Sequence, residues 1–200
     1  MQSKLSIDEV KILYDKEKLT TSQAALKLGV NQWKLISFMK RNGVARRTAA
    51  ESNSINYLRQ KPTFNLKTNL SGYERKLKHV ACALYWGEGA KSLKHCAIDL
   101  ANSDPKLVVI FLKFLRLVCG IQEKKLRILL YCYSDQNPSE LVTYWSYLLN
   151  IPGDQFSKPY VRHDFNPEGR KMLKGLVHVR YNDKKLFLVI HKWIEDIKVL

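Results

Sequence analysis

Apolar residues recur at helical spacing in three short stretches at the start of this 200-residue chain. "IDEVKILYDKEK" sets Val10, Leu13 and Tyr14 on one side of a helix. "TTSQAALKL" opens on hydroxyl residues fit for an N-cap, and "NQWKLISFMKRNG" starts on Asn31 and stops at Gly43. The period then lapses. Residues 51–70 have little apolar periodicity, contain Pro62 and several Asn, and read as a linker. From Tyr73 to Gly87 the chain is polar for two turns and then apolar and small, through Val80, Ala81, Cys82, Ala83 and Leu84. Small side chains in succession let another helix backbone approach closely.

Alternation follows. In "KHCAIDLA", Cys96, Ile98 and Leu100 point one way and His95, Ala97, Asp99 and Ala101 the other. "NSDPKLVVIFLKFLRLVCG" is a helix with an Asx or Ser cap, Pro105 in its first turn and a stop near Gly120. In "KLRILLYCYS", Leu126, Ile128, Leu130 and Cys132 share one face, and Arg127, Leu129, Tyr131 and Tyr133 the other. "NPSELVTYWSYLLN" is a helix, "QFSKPYVRH" and "KMLKGLVHVRYN" are strands, and "DKKLFLVIHKWIEDIKVL" is the last helix. This order predicts an α+β fold with helices on one face of a mainly antiparallel sheet. The expected organisation is a helical domain over 1–50, a linker over 51–70 and a second domain over 71–200.

Charge changes the picture. Thirty-four Lys and Arg stand against eighteen Asp and Glu, a formal net charge of +16, and both segments share it. A polyanionic partner is expected, and a purely structural protein would leave the charge unexplained. A membrane is not expected. No stretch approaches the roughly 18 apolar residues of a spanning helix, and Met1 to Asp15 has polar residues throughout, so an intracellular, cytoplasmic or nucleoid-associated protein is expected. Cys82, Cys96, Cys119 and Cys132 lie in apolar runs without a Cys-x-x-Cys pair and read as reduced, buried thiols. Trp86, Trp145 and Trp193 read as core, and the five His have no mutual spacing that suggests catalysis.

Two resemblances follow from these residues. Ala24, Leu28, Val30, Leu35 and Phe38, with the small Ala25 at a crossing point and Gly29 in the turn, resemble the helix-turn-helix of resolvases and sigma-factor-like regions. The second helix of such a pair enters the major groove. The resemblance therefore implies Gln32, Trp33, Lys34 and Ser37 at base edges or flanking phosphates, with Lys40, Arg41, Arg46 and Arg47 on the backbone.

The other resemblance covers about residues 73–198. A small-residue helix ending in Gly87-Glu88-Gly89, then a hairpin, then "NSDP" opening a helix, then strands and a last helix opened by "NDKKL" resembles one copy of the LAGLIDADG homing-endonuclease domain, with an insertion at 138–163. The motif falls on "ACALYWGEG", residues 81–89. Leu84, Glu88 and Gly89 match it in kind, and Trp86 replaces the first acid. The family implies an αββαββα domain whose motif helices pair between two copies. A homodimer through the 73–88 helix is therefore expected, with Glu88 holding a divalent metal such as Mg²⁺ at the DNA backbone. Lys184, at the join of last strand and last helix, matches a position where the family keeps a basic residue near the scissile phosphate; Lys91 is a second candidate. For the sheet face, Arg127, Tyr131, Tyr133, Lys158, Tyr160, Arg162, Lys174, His178, Arg180 and Asn182 form a basic, aromatic and amide mixture suited to DNA.

The leading expectation is a sequence-specific double-stranded DNA-binding protein that hydrolyses phosphodiesters with a divalent metal. A transcriptional regulator that binds without cutting uses the same scaffold. An intron RNA-binding, maturase-like protein is the third reading.

Overall fold

The computed structural model describes residues 5–92, 97–163 and 172–199. The chain divides into two compact units, Met1–Arg59 and Gln60–Leu200.

In the first unit, α1 (Ile7–Lys11) runs on as a π turn over Ile12–Lys16. Helices α2 (Thr21–Lys27) and α3 (Gln32–Arg41) follow. Reciprocal bonds between Thr20 and Gln23 start α2, at 3.0 and 3.1 Å, and the Asn31 side chain starts α3 by accepting from the Trp33 N–H at 2.8 Å. Gly29, at φ +63°, turns the chain between them. Val10, Leu13, Tyr14, Ala24, Ala25, Leu35, Met39 and Val44 form the core.

The expected linker is structured in both halves. Residues Ala49–Arg59 form helix α4, none of whose residues is buried, which is why no apolar period announces it. Its start is a capping box. The Thr48 N–H donates to Glu51 at 2.7 Å, and the Glu51 N–H donates to the Thr48 hydroxyl at 3.2 Å. Arg59 returns to the Glu17 carbonyl and to Gln23. The second half, from Gln60, belongs to the other unit. Phe64 bridges to Ile121, Lys67 donates its N–H to the Val118 carbonyl at 3.0 Å, and Phe64, Leu66 and Leu70 pack on the core.

That unit is α+β. Its helices are α5 (Gly72–Glu88), α6 (Pro105–Leu117), α7 (Pro138–Leu149) and α8 (Lys184–Lys198). Its strands are β1 (Ile98–Asn102), β2 (Leu126–Tyr133), β3 (Tyr160–Arg162) and β4 (Leu176–Tyr181), in the sheet order β1-β4-β2-β3. β4 is antiparallel to both neighbours, but β3 runs parallel to β2, so the sheet is mixed. The reason is the α7 segment: a helical crossover from β2 returns the chain in the same direction, which a tight hairpin cannot do.

The alternation read from the sequence sorts the faces. Ile98, Leu100, Ile128, Leu130, Cys132, Val177, Val179 and Tyr181 are buried against Leu77, Ala81, Cys82 and Tyr85 of α5, Phe111, Phe114 and Leu115 of α6, Trp145 of α7, and Phe187 and Ile190 of α8. Cys82, Cys119 and Cys132 are free and buried; burial pushes the Cys82 thiol up to about 12. Cys96 and His95 lie outside the described residues. Trp145 is core and Trp193 packs partly against it, but Trp86 is exposed, because it falls on the outward side of α5.

Candidate nucleic-acid interface

The structure divides the small residues of α5 between two faces. A capping box of Ser71 and Glu74 starts the helix, and Leu77, Ala81, Cys82 and Tyr85 turn inward. Tyr73, Val80, Ala83, Trp86 and Gly87 are exposed, forming an outer stripe at helical spacing. Glu88 is the last residue of this helix and is exposed. Gly89 follows in extended conformation and bridges to Leu100, and the Ala90 N–H donates to the Asp99 carbonyl at 2.9 Å, so the chain turns back along β1.

The basic residues expected beside Glu88 occupy different settings. Lys91 is exposed and lines a cleft of about 250 Å³ with Tyr85, Trp86, His191, Ile194, Glu195 and Lys198. Lys184 begins α8 but is only 6% exposed, its ammonium 5.1 Å from the Phe187 ring centroid. Asp183 caps α8 and accepts from the Lys185 and Leu186 N–H groups, and this first turn, with Leu186 and Phe187, lies against the core. Among the described residues, no three His, Cys, Asp or Glu are grouped to hold a metal ion. Glu88 therefore offers one open carboxylate. A Mg²⁺ ion that keeps several waters and takes one or two carboxylates plus phosphate oxygens is compatible with that donor set.

On the first unit, Gln32, Trp33, Lys34, Ser37, Lys40 and Arg41 are all exposed, Trp33 at 77%. Leu35 and Met39 hold the opposite side of α3 in the core. Arg47 departs from its expected phosphate role. Its guanidinium lies 3.9 Å from the Tyr14 ring centroid and donates to the Lys18 and Leu19 carbonyls, while Tyr14 accepts its backbone N–H at 2.9 Å. It ties the segment after α3 to the π turn and to the residues that follow that turn.

The sheet face away from the helices carries the remaining residues. Tyr131 lies between Tyr160 and His178, with ring centroids 5.0 Å away on either side. Arg162 is exposed, 5.6 Å from the Tyr133 ring centroid. Lys158 is exposed just ahead of β3, and Arg127 is exposed while donating to the Lys124 and Leu126 carbonyls. Lys174 differs from expectation: it sits in the turn before β4 with its ammonium 4.6 Å from the ring centroid of Tyr144, a residue of α7.

Asp99 completes this face and was missed as a site residue. Its two oxygens meet His178 Nδ1 and Arg180 Nε, each at 2.8 Å. Burial pushes its pKa up, but the bond to His178 and the charges of His178 and Arg180 outweigh that, and the carboxyl is held below its ordinary value. The sequence puts Asp99 on the polar side of its strand; only the β1–β4 register supplies its partners.

No helix is long and apolar enough to cross a membrane among the described residues. Compared with family models, curated proteins and solved structures, the chain matches none.

Proposed function

We propose that the protein binds double-stranded DNA sequence-specifically as a homodimer and cuts it at the tip of α5 with the help of a divalent metal. The observation that carries this reading is the uncovered sheet face. Arg127, Tyr131, Tyr133, Tyr160, Arg162, His178 and Arg180 line it, all exposed or half-buried, while the apolar side chains of the same strands are buried on the other face. The cations suit phosphate and base-edge contacts, and the imidazole and aromatic groups suit contacts within the groove. The exposed side of α3 supplies a second set, in the manner of a recognition helix.

The outer stripe of α5 supports the dimer. Val80, Ala83 and Gly87 leave room for a close helix approach, and Tyr73 and Trp86 add apolar area beside them. Two copies meeting there would bring two Glu88 carboxylates together, one for each DNA strand. Mg²⁺ held at Glu88 would supply charge stabilisation and an activated water at the phosphodiester. The chain's own part is to expose that carboxylate at the end of α5 and to fix the duplex on the sheet.

Trp86 favours a second reading. It occupies the place of the motif's first acid, so each subunit brings one acid to the helix tip, which suits a regulator that binds without cutting.

The test is selection of duplexes from a random library by the full-length protein, followed by incubation with Mg²⁺. Cuts that vanish in Glu88→Gln support the nuclease, and selected binding without cuts establishes the regulator. Preference for folded RNA over every duplex overturns both, and so does an affinity that ignores salt, since each neutralised phosphate should contribute roughly −0.9 to the log–log slope.

A further inference from the structure

The cations of the open sheet face differ in their partners. In the β1–β4 register Asp99 stands directly opposite Arg180, with His178 diagonal to it. Both oxygens of Asp99 are engaged, one by His178 Nδ1 and one by Arg180 Nε. Arg180 remains 40% exposed, and among the described residues its hydrogen bonds go through Nε alone. Lys158, exposed at the rim, forms no ion pair among the described residues.

We propose that Arg180 reads guanine, and that Asp99 is the positioning residue that directs it to a base and away from a phosphate. The assignment rests on the sheet being the DNA face. A guanidinium has two edges able to make paired hydrogen bonds. Asp99 takes Nε and fixes the plane of the group, leaving the Nη1–Nη2 fork, whose two parallel N–H bonds match O6 and N7 of guanine in the major groove. A phosphate would accept the same fork, so the deciding difference is charge. Phosphate attraction is driven by net positive charge and counterion release. The Asp99–Arg180 pair is neutral, which removes most of that attraction and leaves the directional donors. Ordering by Asp99 also lowers the side-chain entropy that Arg180 would lose on binding. On the other side of Arg180 the β2–β4 register sets Arg127, whose guanidinium is turned to the Lys124 and Leu126 carbonyls, and Tyr131 stacks beside His178 further along the face, while Lys158 and Arg162 keep the phosphate role at the rim.

The experiment is duplex selection at one salt concentration with the full-length wild type, Arg180→Lys, Asp99→Asn and Lys158→Ala, after melting curves show that each variant folds. The wild-type site should contain one base pair at which guanine is strongly preferred. Arg180→Lys keeps the charge and loses the fork, so it should relax that pair alone, by about 10- to 100-fold, the discrimination typical of a bidentate contact. Its affinity for scrambled duplex and its salt slope should stay at wild-type values. Asp99→Asn should relax the same pair and bind scrambled duplex more tightly, because a negative charge has gone. Lys158→Ala should weaken every duplex alike and lower the salt slope by about one. The proposal is overturned if Arg180→Lys keeps the guanine preference, or weakens all sequences equally with a changed slope. A wild type that selects no duplex even at low salt overturns the DNA reading of the sheet as well, so the wild-type selection separates the two failures.

Discussion

Gly89 lies against Tyr85 so closely that a Cβ built on it would stand 2.5 Å from both the Tyr85 ring and the Tyr85 carbonyl oxygen. Tyr85 cannot give way, because its ring is buried and stacks on Phe111 with centroids 5.5 Å apart. Gly89→Ala should therefore destabilise the second unit by about 1–3 kcal/mol, the usual cost of overpacking. Gly87 differs: a Cβ there meets nothing within 4 Å, and the residue is helical. Gly87→Ala should stabilise the single subunit by about 0.5–1 kcal/mol through helix propensity. Denaturant unfolding of the two variants checks both signs.

Ala83 sits on the exposed side of α5, and a charge there should cost the isolated subunit little. In the proposed dimer the same position is buried against its copy. Ala83→Glu should keep the circular dichroism spectrum and melting temperature of the subunit while shifting its sedimentation to the monomer. A protein that sediments as a monomer at all concentrations before the change would remove the dimer from the mechanism.

Lys34 and Arg47 are both basic, and their substitutions should separate. Lys34 is exposed on α3, so Lys34→Ala should leave stability unchanged and lower the salt slope of DNA binding by about one. Arg47 donates to two backbone carbonyls and covers Tyr14, so Arg47→Ala should destabilise the first unit by about 1–3 kcal/mol. Paired melting and binding curves show which variant loses fold and which loses affinity.

His191 sets a pH dependence. Burial foremost, with the charges of Lys184 and Lys198, lowers its pKa, against the opposing effects of its bond to the Ala90 backbone and of Glu195. The folded imidazole resists a proton that the unfolded chain accepts near pH 6.5. Below that pH the unfolded state binds more protons, so stability falls as pH drops from about 6.5 toward the lowered folded value. Melting temperatures between pH 7 and 5 should fall, and His191→Gln should flatten part of that fall.

Local physics made much of this protein legible from its residues. Period-two alternation placed Ile98 and Leu100, and Leu126, Ile128, Leu130 and Cys132, on the buried face, because successive strand side chains point to opposite sides. Hydroxyl and Asx caps, with Gly29 between them, placed α2 and α3. The helix α4 left a local sign too, the Thr48–Glu51 pair, but no apolar stripe, because it buries nothing. Tertiary structure decided the rest. Whether Lys184 meets solvent depends on how the first turn of α8 packs, and the direction of β3 depends on where α7 returns the chain. His178 and Arg180 lie 79 and 81 positions from Asp99 in sequence and become its neighbours through strand register alone. Register is a non-local pairing, set by how buried faces fit together, and no window of sequence around Asp99 contains it.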